Sequence, residues 1–226
     1  MRVVVLSRKG GVGKSTTAIH LGGYLAGVSE GGDDDVLLVD TDPSRNALRW
    51  AQRGRLPFRV AGEDEVDADP AMAREARHLI VDMRGSPSAE EIEDAMRLAE
   101  VMVIPIMPSG LALDTLLQTR RDLRRLGRED RYRVLLTSVP PWPYRRGPQA
   151  RAQLEELGIP LFGGEIRRLE AFEAAADDGV LVRDLPDRRA QRGWEDYARV
   201  GEELVEWVME LRTPDLRAAR SGGGES

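Results

Sequence analysis

The sequence predicts a single α/β domain built on one doubly wound, mostly parallel sheet that is flanked by helices. Short continuous runs of Val, Ile and Leu, typical of strands buried on both faces, alternate with segments whose apolar residues recur at helical spacing. Glycine-rich or acidic segments follow several of these runs, at the sheet edge where such folds bind ligands. The 226 residues suffice for one such domain, placed at 1–212, and residues 213–226 are predicted to be disordered.

The elements alternate along the whole predicted domain. Apolar runs predict strands at 2–7, 36–39, 57–60, 78–81, 101–107, 134–136 and 160–162. Helical spacing predicts helices at 14–28, 44–53, 88–99, 111–126, 148–157, 168–176 and 190–211. An acidic stretch at 62–69 is expected to be exposed, and a proline-rich loop is expected at 139–148. Because parallel strands end at one edge, a glycine loop, Asp40, Asp42 and Asp82 should lie together there.

The composition excludes several classes of protein. Hydrophobic residues make up 41% of the chain and charged residues 32%, as in ordinary globular proteins. The absence of cysteine excludes disulfides, thiolate metal sites and iron–sulfur clusters. No apolar run approaches the roughly 20 residues that cross a bilayer, and the N-terminus is too short for a signal peptide. We therefore expect a cytoplasmic protein that does not bind membranes.

Lysine usage points to one short window. Of 33 basic residues only Lys9 and Lys14 are lysines. An ammonium on a flexible stem is a compact point charge, which a planar guanidinium cannot replace. The positions of the two lysines therefore single out residues 9–14.

The segment around these lysines has the features of a phosphate-binding loop. Residues 8–16 read Arg-Lys-Gly-Gly-Val-Gly-Lys-Ser-Thr and lie between a predicted strand and a predicted helix. Its glycines let backbone N–H groups approach phosphate oxygens, and the helix start adds the positive end of its dipole. Lys14 would reach the β- and γ-phosphates and the Ser15 hydroxyl would bind Mg²⁺. The strict Walker A pattern fails at Arg8, where glycine is required.

This loop resembles the deviant Walker A loop of the ParA/MinD family of P-loop ATPases, and the chain is most similar to its short plasmid or chromosome partition members. The resemblance implies an ATPase that needs ATP and Mg²⁺ and forms a homodimer on ATP. It implies that Lys9 crosses the dimer interface to the partner's phosphates, supplying charge in trans as an arginine finger does. The implied ATP-binding residues are Lys9, Gly10, Gly11, Val12, Gly13, Lys14, Ser15 and Thr16.

Carboxylates at two strand ends match further motifs of this family. Val-Asp-Thr-Asp-Pro at 39–43 is similar to the segment in which one aspartate, here Asp42, orients the attacking water while Asp40 supports the Mg²⁺ shell. Leu-Ile-Val-Asp at 79–82 resembles the Walker B strand, so Asp82 would hold Mg²⁺ through water. The implied catalytic residues are thus Lys9, Lys14 and Asp42, and the Mg²⁺ residues are Ser15, Asp40 and Asp82. Arg84, which follows, either senses the γ-phosphate or faces a partner.

The resemblance extends to the segments 103–109 and 165–175. Adenine is favoured over guanine by the family and by the absence of an Asn-Lys-x-Asp motif.

Positive charge is concentrated in one part of an acidic chain. The net charge is −6, yet residues 115–152 hold ten arginines and three acidic residues. A basic surface on an acidic protein is expected where a phosphate backbone binds, although a solvated helix face would look the same. By resemblance, non-specific DNA is the expected partner and the ATP-bound protein would be associated with the nucleoid. The candidates, as a group, are Arg120, Arg121, Arg124, Arg125, Arg145, Arg146, Arg167 and Arg168.

Three functions are compatible with these observations. The first is a partition ATPase that binds DNA as an ATP dimer and is stimulated by a ParB-like or other partner protein. The second is a MinD-like positioning factor for another cargo that does not bind DNA; its membrane helix is not expected, because residues 213–226 are glycine-rich. The third is a metabolic ligase of the same fold. Ligases of this kind typically lack a lysine at the position of Lys9, so Lys9 argues against this function.

Overall fold

A computed structural model describes residues 1–31, 35–108 and 110–213 of the chain. Within these ranges six strands form one sheet in which every neighbouring pair is parallel, in the order β3-β2-β4-β1-β5-β6. The strands are β1 (Arg2–Val5), β2 (Val36–Asp40), β3 (Arg59–Gly62), β4 (His78–Asp82), β5 (Val101–Ile106) and β6 (Tyr132–Leu136). The predicted doubly wound α/β fold is confirmed, and the described sheet is entirely parallel.

Helices cover both faces of this sheet. In the described ranges they are α1 (Lys14–Val28), α2 (Asn46–Arg53), α3 (Glu63–Ala68), α4 (Ala71–Glu75), α5 (Ala89–Leu98), α6 (Gly110–Arg125), α7 (Arg146–Glu156), α8 (Ala171–Asp178) and α9 (Arg188–Arg212). A 3-10 turn at Val182–Asp184 precedes α9. In the described part of the chain no helix has an apolar stretch long enough to cross a bilayer.

Side chains along each strand alternate between two cores. In β1, Val3 and Val5 pack in a cluster with α1, α2, α8 and α9, whereas Val4 packs on the opposite face with α5, α6 and α7. This alternation follows from the two-residue repeat of a strand. It explains why continuous apolar runs predicted the strands, since both faces of the sheet are buried.

One aromatic cluster fixes α1 against the helices on its face. The ring of His20 stacks on Tyr197 with centroids 4.7 Å apart and meets Trp50 and Phe172 edge-on. Its Nδ1 lies 2.7 Å from the Thr16 carbonyl oxygen, and its Nε2 accepts a hydrogen bond from the Val182 N–H at 3.1 Å. Because Nε2 accepts, Nδ1 must donate, and the ring is neutral. Burial lowers the pKa of His20 to about 4, although the Thr16 carbonyl opposes this shift.

The acidic residues at 62–69 are exposed, as expected, but the local structure differs from the sequence prediction in three places. The acidic stretch at 62–69 contains the helix α3, because the Glu65 carboxylate accepts the Gly62 N–H at 3.1 Å and Val66 packs on the sheet. Helix α4 was not predicted. The apolar run at 160–162 makes only an isolated bridge between Leu161 and Val134. Helix α9 ends at Arg212, and residues 214–226, for which disorder was predicted, lie outside the described residues.

Candidate functional site

The glycine loop joins β1 to α1 at the carboxyl edge of the sheet. Gly11 and Gly13 have φ angles of 71° and 86°, which residues with a Cβ rarely adopt. Gly13 caps α1, and its carbonyl accepts the Thr17 N–H at 2.8 Å. Between the two glycines, Val12 is buried and its carbonyl accepts the Thr137 hydroxyl at 2.8 Å. The loop is thus held from the residue that follows β6, and its backbone lies at a helix N-terminus, where anions bind.

Lys14 and Ser15 begin α1 directly beneath this loop. Lys14 is buried to 9% exposure, which is unusual for a lysine. A methyl group placed on Gly85 would lie 3.8 Å from Lys14 Nζ, so the ammonium lies beside the segment that follows β4. The structure therefore places Lys14 beside the segment that follows β4.

Two aspartates lie side by side at the same edge. Asp40 ends β2 and Asp82 ends β4, and the two residues are register partners. Asp82 is fully buried, and neither carboxylate oxygen has a hydrogen-bond partner in the described part of the chain. Burial raises the pKa of Asp82 to about 7. The neighbouring Ser15 hydroxyl opposes that rise, although it does not form a hydrogen bond of normal geometry with either oxygen.

An unpartnered buried carboxylate of this kind fits a divalent cation. Across the described ranges no three His, Cys, Asp or Glu side chains form a ready metal site. Mg²⁺ does not need one, because it keeps several waters and combines one or two protein ligands with substrate phosphates. Asp82 beside Ser15 meets that requirement, with the cation neutralising phosphate charge when it is bound.

Asp40 is engaged by the backbone instead. Its Oδ1 accepts the Asp42 N–H at 3.0 Å and its Oδ2 accepts the Leu48 N–H at 3.1 Å. Asp40 therefore fixes the segment between β2 and α2. Its predicted place in the Mg²⁺ shell remains a prediction.

Asp42 joins the segment after β2 to the segment after β4. Its Oδ1 accepts the Ser44 N–H at 2.9 Å and the Ser44 hydroxyl at 2.6 Å, while its Oδ2 accepts the Gly85 N–H at 3.1 Å. Burial raises the pKa of Asp42, but these hydrogen bonds outweigh it and leave the pKa below its usual value. The carboxylate is thus ionised and spans both segments that adjoin Lys14.

Backbone strain is concentrated around the same edge. Arg45, Ser86 and Ser138 are the described non-glycine residues with positive φ, at 51°, 54° and 49°. They follow β2, β4 and β6 respectively. Each such residue costs about 1–3 kcal/mol and persists where the surrounding structure requires it, often at functional sites.

Arg8, at the position that breaks the strict motif, connects the loop to α6. Its guanidinium donates to Asp122 Oδ2 at 2.5 Å and to the Pro87 carbonyl at 3.0 Å, with both ionic side chains 13% exposed. Its own carbonyl accepts the Ser86 hydroxyl at 2.7 Å. Arg8 thus ties the start of the loop to the segment after β4 and to a helix.

Two cavities adjoin the loop. One, of about 370 Å³, is lined by Lys14, Ser15 and Asp42. The other, of about 850 Å³, extends from Gly11 and Gly13 past Thr137 and Phe172. The first surrounds the predicted phosphate position, and the second is large enough for a nucleoside.

Thr137 and Ser138 line the larger cavity and were missed by the sequence analysis, whereas Gly11, Gly13, Thr16 and Phe172 lie in segments that it had singled out. Thr137, Ser138 and Phe172 come from the end of β6 and from α8. For Thr137 and Ser138 the position just after a strand end was the available signal, but nothing in the sequence aligned them with the glycine loop.

The predicted basic surface divides into paired and unpaired arginines. In α6, Arg124 pairs with Glu129 at 2.9 Å and Arg125 lies 3.9 Å from Asp122, while Arg120 donates to the Leu157 carbonyl at 2.9 Å. Arg167 forms a two-bond pair with Asp196. Arg121, Arg145, Arg146 and Arg168 have no carboxylate within 4.0 Å among the described residues. Arg84 is exposed and pairs with Glu91 at 3.4 Å.

Comparisons with known proteins agree with this geometry. The sequence-family model of the CobQ/CobB/MinD/ParA nucleotide binding domain matches residues 3–182. The chain is 35% identical to the maintenance of carboxysome distribution protein A of Gloeobacter kilaueensis, over 89% of this chain and 93% of that protein. It is 29% identical to the chromosome-partitioning ATPase Soj of Thermus thermophilus, over 92% of this chain and 97% of that protein.

A solved structure shares the fold. The complex of a Cyanothece McdA variant with ATP superimposes with a TM-score of 0.65 at 18% identity, covering 92% of this chain and 95% of that one. At 18% identity this likeness shows the fold alone. The McdA variant binds ATP in that fold.

Proposed function

The chain belongs to the CobQ/CobB/MinD/ParA nucleotide-binding family, among its ParA-type ATPases, and we propose that it is an ATP-dependent dimerising ATPase that distributes a cargo by ATP-gated, non-specific DNA binding. The observation that carries this proposal is the Asp42–Gly85 hydrogen bond beside Lys14. It joins the segments after β2 and β4 where the γ-phosphate would lie. A bound phosphate that contacts either segment would therefore displace both.

Each residue of the site has a proposed part in hydrolysis. The loop amides and the Lys14 ammonium hold the β- and γ-phosphates. Ser15 and Asp82 would hold Mg²⁺, which would neutralise charge on those phosphates. The ionised Asp42 carboxylate orients the attacking water, and Asp40 holds the backbone of Asp42 in place through the 3.0 Å hydrogen bond.

We propose that the catalytic site is completed by a second copy of the chain. Lys9 begins the glycine loop on the same edge of the sheet, and Lys9 of one subunit would contact the phosphates held by the other. Dimerisation then depends on ATP, because the γ-phosphate supplies the charge that draws the lysine across. Hydrolysis removes that charge and releases the monomers, and a partner protein that accelerates hydrolysis sets the time of release.

Two kinds of cargo suit this cycle. A replicon is favoured by the similarity to a chromosome-partitioning ATPase, and a protein body by the greater identity to a carboxysome-distribution protein. Both cargoes are compatible with the same DNA-bound ATP dimer. A MinD-like factor that positions its cargo without DNA is the alternative function.

The experiment that tests the proposal is binding to duplex DNA of arbitrary sequence, with ATP, with ADP and without nucleotide, at two salt concentrations. Binding that requires ATP and weakens steeply with salt supports the proposal, because phosphate contacts release counterions. If the protein dimerises with ATP but binds no DNA in any nucleotide state, the proposed DNA binding is contradicted and the MinD-like positioning factor is favoured.

A further inference from the structure

The guanidinium of Arg8, the residue before Lys9, is held in three directions. Its Nε donates to the Thr119 hydroxyl oxygen at 3.3 Å, and its Nη2 donates to Asp122 Oδ2 at 2.5 Å. Its Nη1 donates to the Pro87 carbonyl at 3.0 Å. A guanidinium is planar and rigid, so acceptors on three of its nitrogens fix both its position and its orientation.

Helix α6 supplies two of these acceptors from the packed core. Leu116 and Leu123 of this helix are buried in the cluster on the same face of the sheet. Thr119 is 1% exposed, and its hydroxyl donates to the Thr115 carbonyl at 3.0 Å. The oxygen of that hydroxyl is therefore the acceptor for Arg8, whose side chain is attached to a rigid part of the fold.

The peptide unit that joins Arg8 to Lys9 is held at both of its polar atoms. The Arg8 carbonyl accepts the Ser86 hydroxyl at 2.7 Å, and the Lys9 N–H donates to the Ser7 hydroxyl oxygen at 3.4 Å. Because a peptide unit is planar, these two contacts fix the direction in which the Cα of Lys9 leaves it. Ser86 makes its contact with a φ angle of 54°, a conformation that persists only where the surroundings require it.

On its other side Lys9 is followed by two glycines in open space. A methyl group placed on Gly10 or Gly11 would meet no atom of the described residues within 4 Å, apart from its neighbours in the chain. Glycine backbones adopt many conformations, and Gly11 has a φ angle of 71°. The backbone of Lys9 is therefore oriented mainly from the side of Arg8.

We propose that Arg8 is a positioning residue for Lys9, whose anchored backbone aims the lysine at the phosphates bound by a second copy of the chain. This inference rests on the proposed function, in which Lys9 acts on the partner's nucleotide. Lysine has a flexible four-carbon stem, so its ammonium reaches a distant phosphate more often when the backbone already points there. Glycine, which the strict Walker A pattern requires at position 8, would make none of these side-chain contacts.

The same contacts would also suit a different role. Through Ser86 and Pro87, Arg8 would order the segment after β4 in its own subunit. The two roles differ in the nucleotide site that they serve. A positioning residue for Lys9 serves the site of the other subunit, whereas a residue that orders the segment after β4 serves its own.

Hydrolysis by single variants is measured first, in the full chain with ATP and Mg²⁺. Arg8→Ala should lower kcat at least about tenfold and change the KM for ATP about twofold or less, because the residues that hold the phosphates stay in place. The matched control is Arg151→Ala on α7. Arg151 is also partly buried and donates to the Phe162 and Gly163 carbonyls at 2.9 and 3.2 Å, so its loss should destabilise the fold without lowering kcat.

Mixtures of two variants show which subunit Arg8 serves. Arg8→Ala mixed with Asp42→Ala should recover up to about a quarter of wild-type activity, because a correctly aimed Lys9 of the Asp42→Ala chain completes the site of the other chain. Arg8→Ala mixed with Lys9→Ala should stay as inactive as its components, since neither chain supplies a correctly aimed lysine. The first mixture is measured at concentrations where sedimentation of a fluorescently labelled chain shows mixed dimers.

A second variant guards against loss of the fold. Arg8→Lys keeps a positive charge beside Asp122, but a single ammonium cannot hold three separate acceptors in the geometry of a guanidinium. We expect it to fold as the wild type does, to lower kcat at least about threefold and to give the same pattern in the two mixtures.

Three results would contradict these expectations. Recovery with Lys9→Ala, or no recovery with Asp42→Ala, would overturn the inference and assign Arg8 to the site of its own subunit. Full activity of Arg8→Ala alone would reduce Arg8 to a contact that stabilises the fold. If a mixture of Lys9→Ala and Asp42→Ala fails to recover activity, the shared site of the proposed function is itself contradicted, and the role of Arg8 in trans with it.

Discussion

Asp42, which follows β2, accepts a hydrogen bond from the backbone N–H of Gly85, which follows β4, over 3.1 Å. The two residues are 43 positions apart in sequence and meet beside Lys14. Asp42 is thereby fixed at the edge of the sheet in an ionised state, since hydrogen bonds from Ser44 and Gly85 outweigh burial in setting its pKa. This contact makes Asp42 both a catalytic candidate and the link between the segments that follow β2 and β4.

Replacing Asp42 should separate ATP-dependent dimerisation from ATP hydrolysis. We expect Asp42→Ala to bind ATP and dimerise but to lose hydrolysis by about 100-fold or more, because no carboxylate orients the water. The readouts are phosphate release and sedimentation with ATP. The control is Asp64→Ala, which removes an exposed partner of Arg45 and should leave turnover unchanged. Normal hydrolysis by Asp42→Ala would reduce Asp42 to a turn residue.

The Arg8–Asp122 pair should contribute to stability, unlike the surface ion pairs. Arg8→Ala leaves the Asp122 carboxylate, which is 13% exposed, with only the exposed Arg125 at 3.9 Å, and we expect a loss of about 2–3 kcal/mol in the free energy of unfolding. Arg97→Ala, which breaks an exposed pair with Glu93, should cost less than about 0.5 kcal/mol. Chemical denaturation measures both. Equal small losses would show that the pair is no stronger than a surface contact.

The neutral His20 should make the nucleotide-free protein sensitive to acid. Its folded pKa of about 4 lies below the ordinary 6.5, so the unfolded chain binds the extra proton first and stability falls as the pH drops below 6.5, levelling off below 4. Between pH 7.5 and pH 5 the titration of His20 should lower the free energy of unfolding by about 2 kcal/mol. Urea unfolding at the two pH values measures the loss, and His20→Gln is the control that lacks the titrating ring. An identical pH dependence in His20→Gln would contradict the assignment.

Asp82 should make Mg²⁺ binding depend on pH. With a pKa of about 7 in the absence of metal, half of the carboxyl groups are protonated near neutrality, and a protonated group cannot bind the cation. We therefore expect the Mg²⁺ dependence of nucleotide affinity to weaken from pH 8 to pH 6 more in the wild type than in Asp82→Asn. A pH dependence that survives the substitution would belong to the nucleotide and not to Asp82.

The local parts of the site could be predicted from sequence. Helix α1 begins at Lys14 and ends at Val28 as its periodicity indicated, and Asp40 and Asp82 lie in register because both end parallel strands. In each case the determining contacts are close in the chain or follow from the strand pattern. Sequence periodicity carries that information directly.

The remaining contacts could not be read from the sequence because they join distant segments. Arg8 and Asp122 are 114 positions apart, and pairing them requires the exact height of α6 above the sheet. The division of the arginines into paired and unpaired groups has the same origin, since Arg120 is held by Leu157, 37 positions away. The helix α3 was missed for another reason: its acidic first turn favours a helix, but the sequence analysis interpreted these residues only as exposed charge, and the cap and the packing of Val66 were not visible in the sequence.

Whether the catalytic site is shared between two subunits can be measured as ATP hydrolysis by a mixture of Lys9→Ala and Asp42→Ala chains. Each variant alone should be inactive: the first should retain nucleotide affinity but lack the lysine that crosses the interface, and the second lacks the water-orienting carboxylate. In a mixed dimer, Lys9 of the Asp42→Ala chain can complete the site of the Lys9→Ala chain. If sites are shared between two copies, an equal mixture should recover up to about a quarter of wild-type activity, the value reached when the chains pair at random, so that half of the dimers are mixed and each of these holds one complete site. A mixture as inactive as its components, or a Lys9→Ala chain that is fully active alone, would contradict the shared site.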